Sequence, residues 1–188
     1  MEKSQTVTRP IIEAARLCLR KARPGDLDAL VEIQTDRKVR RYLGGPRPEP
    51  DVRAALMMTQ GVEATTADPG AYVIAATADD DVLGLCYLDR RGEDRPGHVT
   101  PSGGELELSY VLRQTAWGNG YATEACRALL SAAAQDMDDQ AVIIVTQTEN
   151  AAATAVAHRL GFTEVDRFEE FGAEQLLAVA RLCDFATG

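Results

Sequence analysis

The chain has few of the features that would give its chemistry away. It carries no run approaching the roughly 18 apolar residues that cross a bilayer. Its opening residues, Met1-Glu2-Lys3-Ser4-Gln5, lack the apolar stretch of a secretory signal. No membrane partner is therefore expected, and a cytoplasmic location is. Cys18, Cys86, Cys126 and Cys183 are widely scattered with no C-x-x-C pair, which excludes the common zinc and redox spacings. Each falls in an apolar or strand-like context and is expected to be a reduced core thiol, with no metal site. Positive charge is scarce: 20 Lys and Arg stand against 29 Asp and Glu, for a net charge of −9. Nucleic acid is held mainly by clustered Lys and Arg, so no such partner is expected, whereas a cationic substrate fits. No internal repeat appears, and no low-complexity segment beyond enrichment in alanine.

At 188 residues the chain can form one domain that buries about 70% of the surface its unfolded form exposes. Residues 1–15 show no sustained period and read as a tail or edge segment, which leaves 16–188 as the domain. Leu17 to Ala22 reads as a first strand, and Pro24-Gly25-Asp26 as a turn whose Asp26 can cap a helix striped by Leu27, Leu30 and Val31. A second helix is predicted from Pro50-Asp51 towards Ala64. Ala71 to Ala76 and Val82 to Leu88 read as a hairpin, followed by a long loop from Asp89 to Gly104. Leu106 to Leu112 is the next strand, Tyr121 to Met137 a helix, Ala141 to Gln147 a strand that pairs in parallel with the one before that helix. A last helix, Ala151 to Leu160, ends at Gly161, before strands at Thr163 to Phe168 and Leu176 to Leu182.

What the chain does have is Trp117-Gly118-Asn119-Gly120-Tyr121-Ala122-Thr123 at the mouth of a helix, directly after a strand. Gly118 and Gly120 can take positive φ and put no Cβ in the way, so successive backbone N–H groups can converge on an anion at the positive end of the helix dipole. A phosphate-loop hydrolase would follow its last glycine with Lys and then Ser or Thr, but Tyr121 and Ala122 stand there. A dinucleotide fingerprint needs a third glycine and an earlier place in the chain. A glycine-rich helix start without a ligand remains the plain alternative.

Some thirty residues later come Thr146-Gln147-Thr148-Glu149-Asn150 and an alanine-rich helix ending His158-Arg159-Leu160-Gly161-Phe162. In this order and spacing the motifs resemble those of the GNAT superfamily of acyl-CoA-dependent N-acetyltransferases. Leu17-Cys18-Leu19-Arg20 with Pro24-Gly25-Asp26-Leu27, and Asp36-Arg37-Lys38-Val39-Arg40-Arg41-Tyr42-Leu43, are most similar to the branch that acetylates ribosomal-protein N-termini. The resemblance implies an α/β fold: a mixed, mostly antiparallel sheet of roughly six or seven strands, splayed between the fourth and fifth, with about four helices. It implies acetyl-CoA as acyl donor, with pantetheine along Val111, Leu112 and Arg113 as an added strand. The N–H of Val111 would face the thioester oxygen. The diphosphate would meet Trp117, Gly118, Asn119, Gly120, Tyr121 and Ala122, with the Thr123 hydroxyl in support. Asn150 would hold the pantetheine, cap the last helix, or do both. Thr115 stands where Arg or Gln is usual, Ala157 where a proton-donating tyrosine is common, and Ala153 where a hydroxyl is often found.

Glu107 occupies the position of the family's strand-borne glutamate. Alternation puts Glu105, Glu107, Ser109 and Val111 on one face, opposite Leu106, Leu108, Tyr110 and Leu112. Glu107 is then either a general base or a solvated or salt-bridged carboxylate. His158 lies off the apolar stripe of its helix, and Glu169, Glu170 and Glu174 form a charge run that could draw a cationic amine but reads more simply as solvated. At pH 7 a lysine-like amine loses its proton at about 4.6 kcal/mol, an α-amine at roughly 1 kcal/mol. The expected enzyme is therefore an N-acetyltransferase acting on an α-amine of a protein N-terminus or amino acid. The alternatives are an antibiotic or polyamine acetyltransferase and a non-catalytic acyl-CoA sensor. Open sheet edges would permit a homodimer.

Overall fold

Alternation along one strand sends Tyr72 and Ile74 to one layer and Val73 and Ala75 to another, and all four are fully buried because helices cover both faces of the sheet. The structure, a computed structural model, describes residues 4–58 and 60–186. Its strands are β1 (Ile11–Glu13), β2 (Leu17–Arg20), β3 (Ala71–Ala76), β4 (Val82–Arg90), β5 (Leu106–Leu112), β6 (Ala141–Gln147), β7 (Thr163–Glu170) and β8 (Ala173–Arg181). They form one sheet in the order β1-β2-β3-β4-β5-β6-β8-β7. Only β5 and β6 pair in parallel. The helices are α1 (Leu27–Thr35), α2 (Glu49–Met57), α3 (Tyr121–Asp136) and α4 (Ala151–Leu160).

The expected mixed fold is therefore present, with eight strands instead of six or seven. The extra strand, β1, lies in the segment read as tail: it is three residues long, too short to show a period, and only Ile12 is buried. The second helix is shorter than predicted. It stops at Met57, and a separate 3₁₀ turn covers Glu63–Thr66. Gly61 folds back so tightly that a Cβ there would sit 2.4 Å from the Ala55 carbonyl oxygen, which no other residue would tolerate. The last two strands begin or end two to three residues from their predicted limits.

Asp26 does not cap α1 with its side chain. It accepts from both terminal nitrogens of the buried Arg20, at 2.8 and 2.9 Å, and from the Arg23 N–H at 2.9 Å. Burial works against the Asp26 carboxylate, but the hydrogen bonds from Arg20 and Arg23 win and lower its pKa. The family-like Arg20 and Asp26 are thus a structural fork that fixes the start of α1.

One face packs against α3 and α4: Leu106, Leu108 and Leu112 of β5 share a cluster with Ala125, Cys126 and Leu129 of α3 and with Val156 and Leu160 of α4. On the other face α1 contributes Leu30 and Ile33 against Val73, Ala75 and Leu85, with Tyr87 and Val111 at the margin. The feature that positions the site is a divergence in mid-sheet. β5 follows β4 along its whole length to Gly84↔Leu112, while β6 follows β8 from Ala141↔Arg181 to Gln147↔Gln175. β5 and β6 meet only at Leu106↔Val142 and Glu107↔Ile143. Beyond that apex their facing edges are left without a partner strand.

Candidate active site

In an antiparallel ladder alternate residues turn their backbone groups to the partner strand and the rest turn them away. At one end of the β4–β5 ladder Arg91 donates its N–H to the Glu105 carbonyl at 3.0 Å; at the other Arg113 donates to the Leu83 carbonyl at 2.8 Å. The register between them is unbroken. Glu107, Ser109 and Val111 therefore point their backbone groups at β4, and Tyr110 and Leu112 point theirs into the slot. This corrects the expectation for Val111: its N–H belongs to the ladder opposite Leu85, and the donor facing the slot belongs to Tyr110. Arg113 is corrected as well. Its N–H is taken by Leu83, and its side chain turns to Glu32 at 2.7 Å, Asp81 at 3.1 Å and the Val82 carbonyl. Leu112 keeps a free N–H, while its carbonyl accepts from Trp117 Nε1 at 3.0 Å. That bond moors the glycine loop to the strand.

The loop itself has the predicted form. Gly118 and Gly120 adopt φ of 75° and 79°, and α3 starts at Tyr121 with no side chain capping it. Among the described residues, the N–H groups of Gly118, Asn119 and Gly120 donate to no protein acceptor. The Asn119 side chain braces the turn through the Trp117 carbonyl at 3.0 Å. Thr123, in the first turn of α3, carries a buried hydroxyl without a partner. A bare helix N-terminus, free N–H groups and an orphaned hydroxyl fit a diphosphate.

Sequence reasoning missed the residue that props this loop. Arg16 donates its N–H and Nε to Glu124 of α3 at 2.7 and 2.8 Å and Nη2 to the Asn119 carbonyl at 3.1 Å, and its guanidinium lies 4.7 Å from the Tyr121 ring centre. It is more than a hundred residues away in sequence, so no local pattern announces it. Across the slot Asn150 caps α4, its Oδ1 accepting the Ala153 N–H at 3.2 Å, and its side-chain NH₂ makes no protein hydrogen bond among the described residues. Both roles foreseen for this residue are compatible with that geometry. The α1–α2 connection closes over the same end: Tyr42 donates its hydroxyl to the Glu149 carbonyl at 3.1 Å, and its backbone carbonyl accepts from Gln147 Nε2 at 3.3 Å. Ala157 is buried in the core, and His158 is exposed in the last turn of α4, so neither presents a titratable group to the slot.

The face with Glu107 is charged and heavily cross-linked. Glu107 Oε2 accepts from Arg91 Nη1 at 3.0 Å and lies 3.6 Å from Arg95. The same Arg91, whose side chain is wholly buried, reaches Glu170 of β7 at 3.1 Å and the Pro96 carbonyl, and lies 5.6 Å from the Phe168 ring centre. Arg95 also holds Glu170 at 2.9 Å. Burial raises the Glu170 carboxyl pKa, but the hydrogen bonds from Arg95 and Arg91 outweigh it and hold it below its ordinary value. Glu170 is therefore not part of a solvated charge run. The salt-bridged alternative for Glu107 is present in the structure, and the free Oε1 leaves room for a second duty. Beside it Glu105 accepts from His98, Val99 and Thr100. Burial again opposes ionisation, and these bonds prevail, holding its pKa at about 2.

The cysteines divide. Cys86 and Cys126 are fully buried, and burial pushes both thiols well up. Cys18 is only half-buried and Cys183 is exposed, which corrects the expectation of four core thiols. Among the described residues no group of three or more His, Cys, Asp or Glu could hold a metal ion, and no helix is long and apolar enough to cross a membrane. Two surface clefts of about 350 and 450 Å³ open beside α1 and beside the 3₁₀ turn. Neither is lined by Tyr110, Leu112 or the glycine loop.

Comparison with known proteins agrees with this geometry. Over 149 residues, covering 78% of this chain and 79% of the other, it is 26% identical to an uncharacterized N-acetyltransferase p20 of Bacillus licheniformis. A spermidine N-acetyltransferase from Vibrio cholerae, solved with CoA and spermine, superposes with a TM-score of 0.69 at 15% identity, over 92% of this chain and 99% of that one. RimL, a ribosomal alpha-N-protein acetyltransferase solved with coenzyme A, superposes with a TM-score of 0.68 at 19% identity, over 92% and 98%. Residues 16–163 match the family description "Acetyltransferase (GNAT) domain", and with the splayed sheet and the glycine loop in place, the chain belongs to the GNAT acetyltransferases.

Proposed function

We propose that this N-acetyltransferase works as a single domain, which β1 extends beyond the expected 16–188, and passes an acetyl group from acetyl-CoA directly to a primary amine, favouring an α-amine of a protein N-terminus or amino acid. The observation that carries the reading is the unpaired β5 edge beyond Glu107↔Ile143, next to a glycine loop with free N–H groups. When bound, acetyl-CoA supplies an acyl group activated as a thioester. Gly118 to Ala122 and Thr123 would hold its diphosphate. Tyr110 and Leu112 would pair with the peptide-like pantetheine, joined by the Asn150 amide from the far wall. The Tyr110 N–H is the donor aimed where negative charge develops on the acyl oxygen. Glu107, on the α1 face, supplies the negative potential that draws an ammonium towards the slot.

Direct transfer is supported by the thiols: Cys126 is the cysteine nearest the loop in sequence, and its burial and raised pKa make it a poor nucleophile. The α-amine is supported by the difference of about 3.6 kcal/mol in deprotonation between a lysine-like and an α-amine, since alanine at 153 and 157 leaves those two positions of α4 without a hydroxyl. A polyamine is the second reading, favoured by the carboxylates on the α1 face and the net charge of −9. The test is release of free thiol from acetyl-CoA against peptide N-termini, amino acids, polyamines and aminoglycosides, with Gly120→Glu as control. Turnover of α-amines, lost in the control, supports the reading. Turnover of polyamines alone replaces the acceptor, and CoA binding without any turnover overturns catalysis in favour of an acyl-CoA sensor.

A further inference from the structure

Asp89 ends β4 directly opposite Glu107 in the ladder, and the two side chains share the α1 face. Cβ atoms of such opposed residues lie about 5.5 Å apart, so two carboxylates meet at the apex of the slot. Their surroundings differ. Glu107 is held by Arg91 at 3.0 Å and lies 3.6 Å from Arg95. Asp89 receives no hydrogen bond or ion pair from any other described side chain, although it is solvent-accessible and one strand pair from the apex. Partial burial first, and then the charge of Glu107, raise its carboxyl pKa; Asp68 adds to the rise and Arg95 opposes it. On its own strand Tyr87 faces the same way, with a phenol pushed up to about 12 by burial first, then by Cys86 and Asp89, so it stays neutral.

We propose that Asp89 is a catalytic residue of the acetyl transfer: paired with an ion-bound Glu107 that fixes the negative charge, its free carboxylate takes the proton the acceptor amine releases. The inference rests on the transferase reading above. The amine nitrogen bonds to the acyl carbon, the carbon–sulfur bond breaks with its electron pair on sulfur, and the nitrogen-bound proton goes to Asp89. Asp89 returns it to the thiolate or to water, so amide and free thiol leave and the carboxylate is restored. Like-charge pairing is what makes the acceptor competent. The charge of Glu107 opposite raises the proton affinity of Asp89, which no arginine side chain holds among the described residues.

The experiment measures kcat, KM and their pH dependence for the wild type, Asp89→Asn, Asp89→Glu and Glu107→Gln, using the best acceptor found in the amine panel. Acetyl-CoA affinity is measured by calorimetry and the Asp89 carboxyl is titrated by carbon NMR in the full chain. We expect Asp89→Asn to lose about 10²- to 10⁴-fold in kcat with unchanged acetyl-CoA affinity, to flatten the acidic limb of the profile, and to be partly rescued by Asp89→Glu. In Glu107→Gln the Asp89 titration should move to lower pH. An Asp89→Asn enzyme within twofold of wild-type kcat, or an Asp89 titration indifferent to Glu107→Gln, overturns the inference while leaving the transferase reading intact. Absence of turnover by the wild type with every amine overturns both.

Discussion

The two sides of the slot are built from different materials. On the coenzyme side the groups that matter are backbone: free N–H groups at Gly118, Asn119 and Gly120, the start of α3, and the outward N–H of Tyr110 and Leu112. On the side proposed for the acceptor they are charged side chains drawn from separate segments: Asp89 of β4, Arg91 and Arg95 of the following loop, Glu107 of β5 and Glu170 of β7. A thioester-bearing coenzyme is constant, and a backbone cradle serves it whatever side chains surround it. The acceptor is what varies between such enzymes, and a network of side chains can be altered without disturbing the cradle. Changes on one side should therefore leave the other side's property nearly untouched, and each prediction below is a way to break that separation.

The largest effect is expected from Arg91→Ala. Removing the fully buried cation strands Glu107 and Glu170 and should cost about 3–5 kcal/mol of stability, read by denaturant unfolding, with CoA affinity changed less than twofold. On the opposite side Gly120→Glu puts a side chain at φ 79° and a carboxylate into an anion cradle. CoA affinity should fall at least ~100-fold, about 2.7 kcal/mol by calorimetry, with roughly 1–2 kcal/mol lost in unfolding to the left-handed backbone. A coenzyme affinity that followed Arg91 would erase the division.

The acceptor side should also carry the acid sensitivity. Glu105 has its pKa held at about 2, below an unfolded glutamate near 4.3. A depressed carboxylate contributes stability that is complete above the unfolded pKa and is lost as pH falls through the folded one. Unfolding free energy should thus decline from about pH 4.3 to about pH 2, with Glu170 adding to the loss in the same direction. Glu105→Gln should flatten that decline. The smallest effect is Asn150→Ala, which removes the α4 cap at about 1 kcal/mol; a drop in CoA affinity alongside would show that the free amide also holds pantetheine.

How far the sequence announced each side follows from the same contrast. The cradle is local, and Gly118, Gly120 and the strand before them are adjacent, so motif and spacing were enough. The β5–β6 divergence was expected from family resemblance, but the phase of the ladder was not. Whether Val111 or Tyr110 faces the slot depends on which residues of β4 and β5 exchange hydrogen bonds, a property of pairing and not of either strand alone. The acceptor network was out of reach because its bonded partners Arg91 and Glu170 stand 79 residues apart, in segments that read as loop or solvated charge. Glu107 was legible as a position through strand alternation, yet its partners Arg91 and Arg95 lie in a loop with no period to place them. Asp89 was read as the first residue of the loop, one beyond the strand end expected at Leu88, whereas β4 runs on to Arg90 and sets it opposite Glu107.

The most direct test of the account is residue-resolved amide hydrogen exchange of the full chain with and without CoA. Tyr110, Leu112 and Gly118 to Gly120 should exchange quickly in the free protein and gain protection on binding, while Ser109 and Val111, already in the β4 ladder, should be protected in both states. Protection gained at Val111, with Tyr110 unchanged, would contradict the assignment of the slot edge and of the donor it presents.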